Sequence, residues 1–151
     1  MKSLYKKVFV FIFLSLGFNA AFACPDFSGS WVCKTIRGGV FDTTFSQKIV
    51  GNTTLYKLGI TEFVSDGNIH QVDGATYVSS CQDDGSVKLN IESVVVDMTS
   101  GKRIGTAHYN YVFKKPEAEF QATMNGDIHT DDNNATEPIK DGYTCKKKVG
   151  Q

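Results

Sequence analysis

The chain has 151 residues, with sixteen basic and sixteen acidic side chains, four cysteines and one tryptophan. Three of the basic residues lie in the first seven positions, so residues 24–151 carry thirteen basic and sixteen acidic residues, a net charge of −3. This balance disfavours nucleic-acid binding, which needs a concentrated basic surface. The length after residue 23 suits one compact domain and is too short for two.

The first 23 residues have the three parts of a secretory signal peptide. Three lysines precede an apolar run at residues 8–18, and Ala21 and Ala23 form a small-x-small cleavage site. We therefore expect residues 1–23 to be the signal peptide and residues 24–151 to form a single β-barrel domain. The expected location is secreted or periplasmic.

Cys24, the first residue after the cleavage site, raises an alternative. A lipid-modified cysteine at this position would make the protein a lipoprotein, but Ala21 stands where a bacterial lipobox usually has leucine. Ordinary cleavage is therefore favoured over anchoring at Cys24. The apolar run is shorter than the roughly 20 residues of a membrane-spanning helix, and no later run approaches that length, so we expect no transmembrane segment.

Eight β-strands are predicted from segments that alternate apolar and polar residues between turn-forming residues. In "FDTTFSQKIV", for example, Phe41, Phe45 and Ile49 fall on one face. Gly74 is interpreted as a bulge inside a strand, and residues 125–138 as a polar loop. The predicted strands cover residues 30–36, 41–50, 53–63, 68–80, 87–98, 103–115, 118–124 and 140–148.

An even number of strands joined by short turns can close into an antiparallel up-and-down barrel with no free sheet edge. If the first and last strands pair to close the barrel, Cys33 and Cys145 meet at the seam. Cys24 and Cys81 then lie at the same end of the barrel. Of the three connectivities open to four cysteines, this geometry favours Cys33 with Cys145 and Cys24 with Cys81. Splitting the strand at Gly74 would move Cys81 to the opposite end.

The stretch "FSGSW" at residues 27–31 resembles the Gly-x-Trp entry of the lipocalins and related calycin barrels. The resemblance implies an all-β, eight-stranded, lipocalin-like barrel in which Gly29 permits the bend into the first strand and Trp31 plugs the closed end. The chain departs from the family in the tight Gly38-Gly39 turn and in ending directly after the last strand. We therefore expect a lipocalin-like barrel rather than a true lipocalin.

The inward-facing aromatic residues are the candidate ligand site. A pocket with a few polar groups among aromatic side chains orients small apolar ligands, and buried tyrosine hydroxyls need hydrogen-bond partners. The hypothesis is a binding protein that holds a small hydrophobic molecule inside the barrel. The candidate ligand-binding residues are Trp31, Phe41, Phe45, Tyr109, Tyr111, Phe113 and Phe120.

The alternative function is a secreted protein-binding module, such as a protease inhibitor, with a barrel filled by its own side chains. An interior cavity of a few hundred Å³ would favour the ligand carrier, and a filled interior would favour the module.

No catalytic motif is present, so we expect no enzymatic activity, no catalytic residue and no cofactor. His70, His108 and His129 are the only histidines. The alternation places His108 on the outer face. Residues 127–134 gather oxygen donors but lack the spacing of a calcium-binding loop, so no metal site is predicted.

Overall fold

The computed structural model describes residues 24–148, and the predicted signal peptide lies outside the described residues. In this range the chain forms ten β-strands and no helix. The strands are β1 (Gly29–Thr35), β2 (Val40–Val50), β3 (Thr53–Leu58), β4 (Thr61–Ser65), β5 (Ile69–Val72), β6 (Ala75–Cys81), β7 (Val87–Val96), β8 (Arg103–Lys114), β9 (Glu119–Thr130) and β10 (Thr136–Lys147).

All ten strands belong to one antiparallel sheet that curls into a half-barrel. The order across the sheet is β4-β3-β2-β1-β10-β9-β8-β7-β6-β5, so the first and last strands pair in the middle and β4 and β5 are the edges. The antiparallel all-β class was predicted correctly. The predictions of eight strands and of a closed barrel were wrong.

Two hairpin turns account for the extra strands. Gly59, with φ 65°, begins the two-residue connection between β3 and β4. Asp73 and Gly74, with φ 47° and 79°, form the connection between β5 and β6, so the bulge predicted at Gly74 was wrong. Positive φ at both central positions is typical of the turn that Asp-Gly favours in a hairpin. Each of these two turns reverses the chain direction once more than expected. The two reversals cancel, so β6 runs in the direction expected for the single predicted strand at residues 68–80.

The barrel stays open between β4 and the β5–β6 hairpin. β5 has only four residues, and β4 meets β6 without a strand ladder. Two isolated hydrogen bonds connect the two sides instead. The Val64 N–H donates to the Tyr77 hydroxyl at 3.2 Å, and the Gly67 N–H donates to the Ser79 carbonyl at 2.8 Å.

Both disulfides have the pairing expected from the strand order. Cys33 and Cys145 face each other across the β1–β10 ladder, and Cys24 is bonded to Cys81. The second bond occupies the sulfur atom that a lipid on Cys24 would need. Disulfides are compatible with an extracellular or periplasmic location.

The predicted loop at residues 125–138 is mostly β-structure. β9 continues to Thr130 and β10 begins at Thr136, with Pro138 paired opposite Asp127. Proline is tolerated there because β1 ends at Thr35, opposite Tyr143, so β10 has a free edge at Pro138.

Candidate functional site

The half-barrel has one packed end and one open end. The packed end is filled by seven aromatic side chains, which we call the aromatic floor and which are each no more than 3% exposed. The ring centroids of Phe45 and Phe120 lie 4.7 Å apart, and those of Phe27 and Phe120 lie 5.0 Å apart. The members are Phe27, Trp31, Phe45, Tyr56, Phe63, Phe113 and Phe120.

Trp31 is fully buried in the aromatic floor, where its ring packs against those of Phe45 and Phe120. Its indole N–H donates to the Phe27 carbonyl at 3.0 Å, so the one polar atom of the side chain is satisfied without water. Gly29, two residues earlier, has φ 139°, a conformation that other residues rarely adopt. The local sequence therefore provides both the bend into β1 and the aromatic plug.

A cavity of about 310 Å³ lies next to the aromatic floor, in the interior of the sheet. Its wall is mainly aliphatic and aromatic, and its inward polar side chains, besides the tyrosines, are those of Thr35, Thr61 and Asp141. Thr123 borders the cavity from the outer face of β9, because it alternates with the inward Ala122 and Met124. The lining residues are Thr35, Leu58, Thr61, Leu89, Ile91, Tyr111, Phe113, Ala122, Thr123, Met124, Asp141, Gly142 and Tyr143.

The cavity brings together side chains from seven strands. Alternation places Asp141, Tyr143 and Cys145 on the same face of β10, and the disulfide of Cys145 fixes this face against β1. Tyr111 on β8 pairs with Met124 on β9. Leu58 and Thr61 pair with each other on β3 and β4. The wall therefore rests on regular strands, which hold side chains more rigidly than loops do.

The hydroxyls of Tyr111 and Tyr143 are the polar groups of the wall that are best suited to orient a ligand by hydrogen bonds. Burial raises the pKa of Tyr143 to about 12, with a contribution from the nearby Tyr111 hydroxyl. Burial also raises the pKa of Tyr111, to which the Tyr109 hydroxyl and the Asp141 carboxylate add. Neither hydroxyl of the pair is hydrogen-bonded to another residue within residues 24–148. Both are therefore neutral donors at neutral pH with bonding capacity to spare.

The structure divides the predicted ligand-binding residues into three groups. Tyr111 and Phe113 line the cavity. Trp31, Phe45 and Phe120 lie in the aromatic floor and do not line it.

Phe41 and Tyr109 form the third group, because they lie beside the cavity. Phe41 is 38% exposed and packs edge-on against Tyr143 at 5.5 Å. Tyr109 stands next to Tyr111, with ring centroids 6.5 Å apart.

Sequence reasoning missed most of the cavity wall, including Leu89, Ile91 and Met124. It also missed Asp141 and Tyr143, although both precede Cys145 by an even number of residues and so share its inward face. That alternation was the available signal.

The three histidines are not gathered into one cluster. His70 contacts Asp66 at 2.9 Å on β5. His108 lies on the outer face between Asp127, at 3.0 Å, and Glu92, at 3.5 Å. In the sheet register His129 is diagonal to His108 on the same outer face. No group of three or more metal-binding side chains occurs among the residues that the structure describes.

Comparisons with known protein families, with curated proteins and with solved structures found no match to this chain. Across residues 24–148 there is no helix long and apolar enough to cross a membrane.

Proposed function

We propose that the protein binds one small, mostly apolar molecule in the cavity. The observation that carries the proposal is the volume of about 310 Å³ beside a packed aromatic floor. Ligand pockets in proteins span roughly 300–1,000 Å³, so this cavity suits a ligand at the small end of the range.

The character of the wall supports the same proposal. Leu58, Leu89, Ile91 and Met124 provide apolar surface, and burial of a ligand against it is favourable by roughly 25 cal/mol per Å². The Tyr111 and Tyr143 hydroxyls supply donors that orient a ligand oxygen or nitrogen. An apolar wall with a few polar groups is the usual composition of a small-molecule site.

Preorganisation of the wall also favours binding. The Cys33–Cys145 disulfide joins the two strands that carry Thr35 and Tyr143. Phe113, which belongs to both the wall and the aromatic floor, stacks on Phe63 and Phe120. A site that is already ordered loses less conformational freedom when a ligand enters, which improves affinity.

The alternative of a protein-binding module retains some support from the filled packed end. Cys24 is tied to Cys81, however, so the N-terminal segment is not free to extend into a partner's cleft. The cavity at the open end favours the ligand carrier.

Displacement of an environment-sensitive dye by small aromatic alcohols tests the proposal. Ile91→Trp places a bulky side chain in the cavity and is expected to weaken binding at least about tenfold. Val94→Trp is the matched control, because Val94 lies on the outer face of the same strand and is 46% exposed. Absence of saturable binding, or equal affinity of wild type and folded Ile91→Trp, would contradict the proposal.

A further inference from the structure

The charge around the cavity restricts the class of ligand. Asp141 is the only side chain in the lining that bears a full charge, and no lysine, arginine or histidine lines the wall. We propose that the cavity selects ligands with an apolar body and a cationic amine head over equally sized carboxylates. This inference rests on the proposed function, because it concerns the same cavity.

Asp141 is placed to meet the head group of a ligand. It lies on the inward face of β10, two residues before Tyr143, and remains exposed at the cavity. One carboxylate oxygen accepts the N–H of Gly142 at 2.7 Å, which fixes the side chain against its own backbone. The other oxygen has no salt-bridge partner among residues 24–148, so it is free to accept hydrogen bonds from an ammonium group.

The tyrosines favour the same charge. Tyr111 and Tyr143 present aromatic rings to the cavity, and a cation near the face of an aromatic ring is attracted by about 0.5–1 kcal/mol at exposed sites and more when desolvated. Asp141 is close enough to Tyr111 to act on its hydroxyl electrostatically. A carboxylate ligand would meet the charge of Asp141 with no opposite charge in the wall to offset the repulsion.

Arg37 carries a positive charge that would attract a carboxylate ligand instead of an amine. It is exposed in the turn that follows Thr35, at the end of β1, and it does not line the cavity. A flexible arginine at this position could recruit a carboxylate from outside the wall.

Three probes with one phenylpropyl body separate these effects: phenylpropylamine, phenylpropanol and phenylpropanoate. Isothermal titration at neutral pH is expected to show the amine binding about fivefold tighter than the alcohol, and the carboxylate binding weakest. Added salt should weaken amine binding selectively, because it screens the attraction to Asp141.

Asp141→Asn removes the charge and keeps an oxygen that accepts the Gly142 N–H. We expect the amine-to-alcohol affinity ratio to fall from about five to about one. The matched control is Glu62→Gln, which removes the same charge from an exposed residue of β4 outside the cavity lining and should leave the ratio unchanged.

The outcomes distinguish this inference from the proposed function. Equal binding of all three probes overturns the amine preference and leaves a ligand-binding cavity. Tightest binding of the carboxylate, lost in Arg37→Gln, overturns it in favour of capture by Arg37. Failure of all three probes and of the displaceable dye removes the proposed function and this inference together.

Discussion

Val64 on β4 donates its backbone N–H to the hydroxyl of Tyr77 on β6 at 3.2 Å. The bond stands where a strand ladder would be needed to close the half-barrel, so one side chain satisfies an amide at a sheet edge. The Tyr77 ring also stacks on His70 at 5.0 Å, which joins the edge strand β5 to the same contact. Edge strands with unpaired amides invite association with other chains, and this bond covers one of them.

Tyr77→Phe should lower the free energy of unfolding by about 1 kcal/mol, because the Val64 amide loses its partner while the aromatic ring stays. Urea denaturation measures the change, and hydrogen exchange at the Val64 amide should accelerate. Tyr109→Phe is the matched control, since Tyr109 is a half-buried tyrosine of β8 without a hydrogen-bonded residue in the described chain. Equal stability losses in the two variants would show that the bond to Val64 contributes nothing.

The two disulfides should differ in their contribution to stability. Cys33 and Cys145 are separated by 112 residues and Cys24 and Cys81 by 57, which corresponds to about 5 and about 4 kcal/mol in the chain-entropy model. Cys33 and Cys145 are also fully buried, so removing their sulfur atoms leaves a void in the core. The double variant Cys33→Ala/Cys145→Ala should therefore have the lower denaturation midpoint.

Comparison with Cys24→Ala/Cys81→Ala provides the control, since both variants lose one bridge and two sulfur atoms. A lower midpoint for this second variant would contradict the assignment of the larger effect to the β1–β10 seam.

Gly126 allows β9 to approach β8 closely. A Cβ atom at this position would lie 2.2 Å from the His108 carbonyl oxygen, far inside van der Waals contact. Gly126→Ala must therefore push the two strands apart and should cost about 1–3 kcal/mol in a chemical denaturation experiment. Gly39→Ala is the control, because an added Cβ there would meet only the Thr35 side chain, whose oxygen lies at 3.3 Å, and no backbone atom of a neighbouring strand. A loss in Gly126→Ala no greater than in Gly39→Ala would show that the strands yield without strain.

The pairing of the first and last strands could be predicted because Cys33 and Cys145 lie in the middle of alternating segments. The turns that divide the sheet further were missed for a local reason. Gly59 lies within an eleven-residue run of good strand formers, and Asp73-Gly74 was interpreted as a bulge although it is a typical hairpin dipeptide. The two errors cancel in strand direction, which is why the position of Cys81 was still predicted correctly.

The candidate site was harder to predict than the fold. Alternation identifies which residues point inward, but it does not show how far along the barrel the interior is filled. Phe45 and Phe120 face inward like Tyr111. Their ring centroids, however, lie only 4.7 Å apart, and the two packed rings leave no space for a ligand between them. The level of each inward residue along the half-barrel depends on the register of every strand pair, which alternation alone does not give.

Acid should destabilise the protein through Asp66. A hydrogen bond from the His70 ring and one from the Asn68 amide lower the pKa of Asp66 to about 2, against about 3.9 in an unfolded chain. Its stabilising contribution is therefore complete above about pH 4 and is lost as the pH falls towards 2. Asp66→Asn should flatten the dependence of the denaturation midpoint on pH in this range.

Asp73→Asn serves as the comparison, because Asp73 is exposed in the next turn and accepts no hydrogen bond from the described residues. An identical acid profile for Asp66→Asn and Asp73→Asn would remove the role assigned to the Asp66 contacts.

Alkaline titration reports on the cavity wall. Burial raises the pKa of Tyr143 to about 12 in the folded protein, against about 10 in an unfolded chain. A raised folded-state pKa gives stability that is complete below about pH 10 and is lost as the pH rises towards 12. The near-ultraviolet absorbance of ionised tyrosine should therefore show a late-titrating fraction in the folded protein, and Tyr143→Phe should reduce it. A saturating ligand over Tyr143 should delay this fraction further, because it removes water from the hydroxyl. If every tyrosine titrated near pH 10 while the protein is still folded, the hydroxyl of Tyr143 would have to be open to solvent. The cavity would then lack the buried hydrogen-bond donor on which ligand orientation depends.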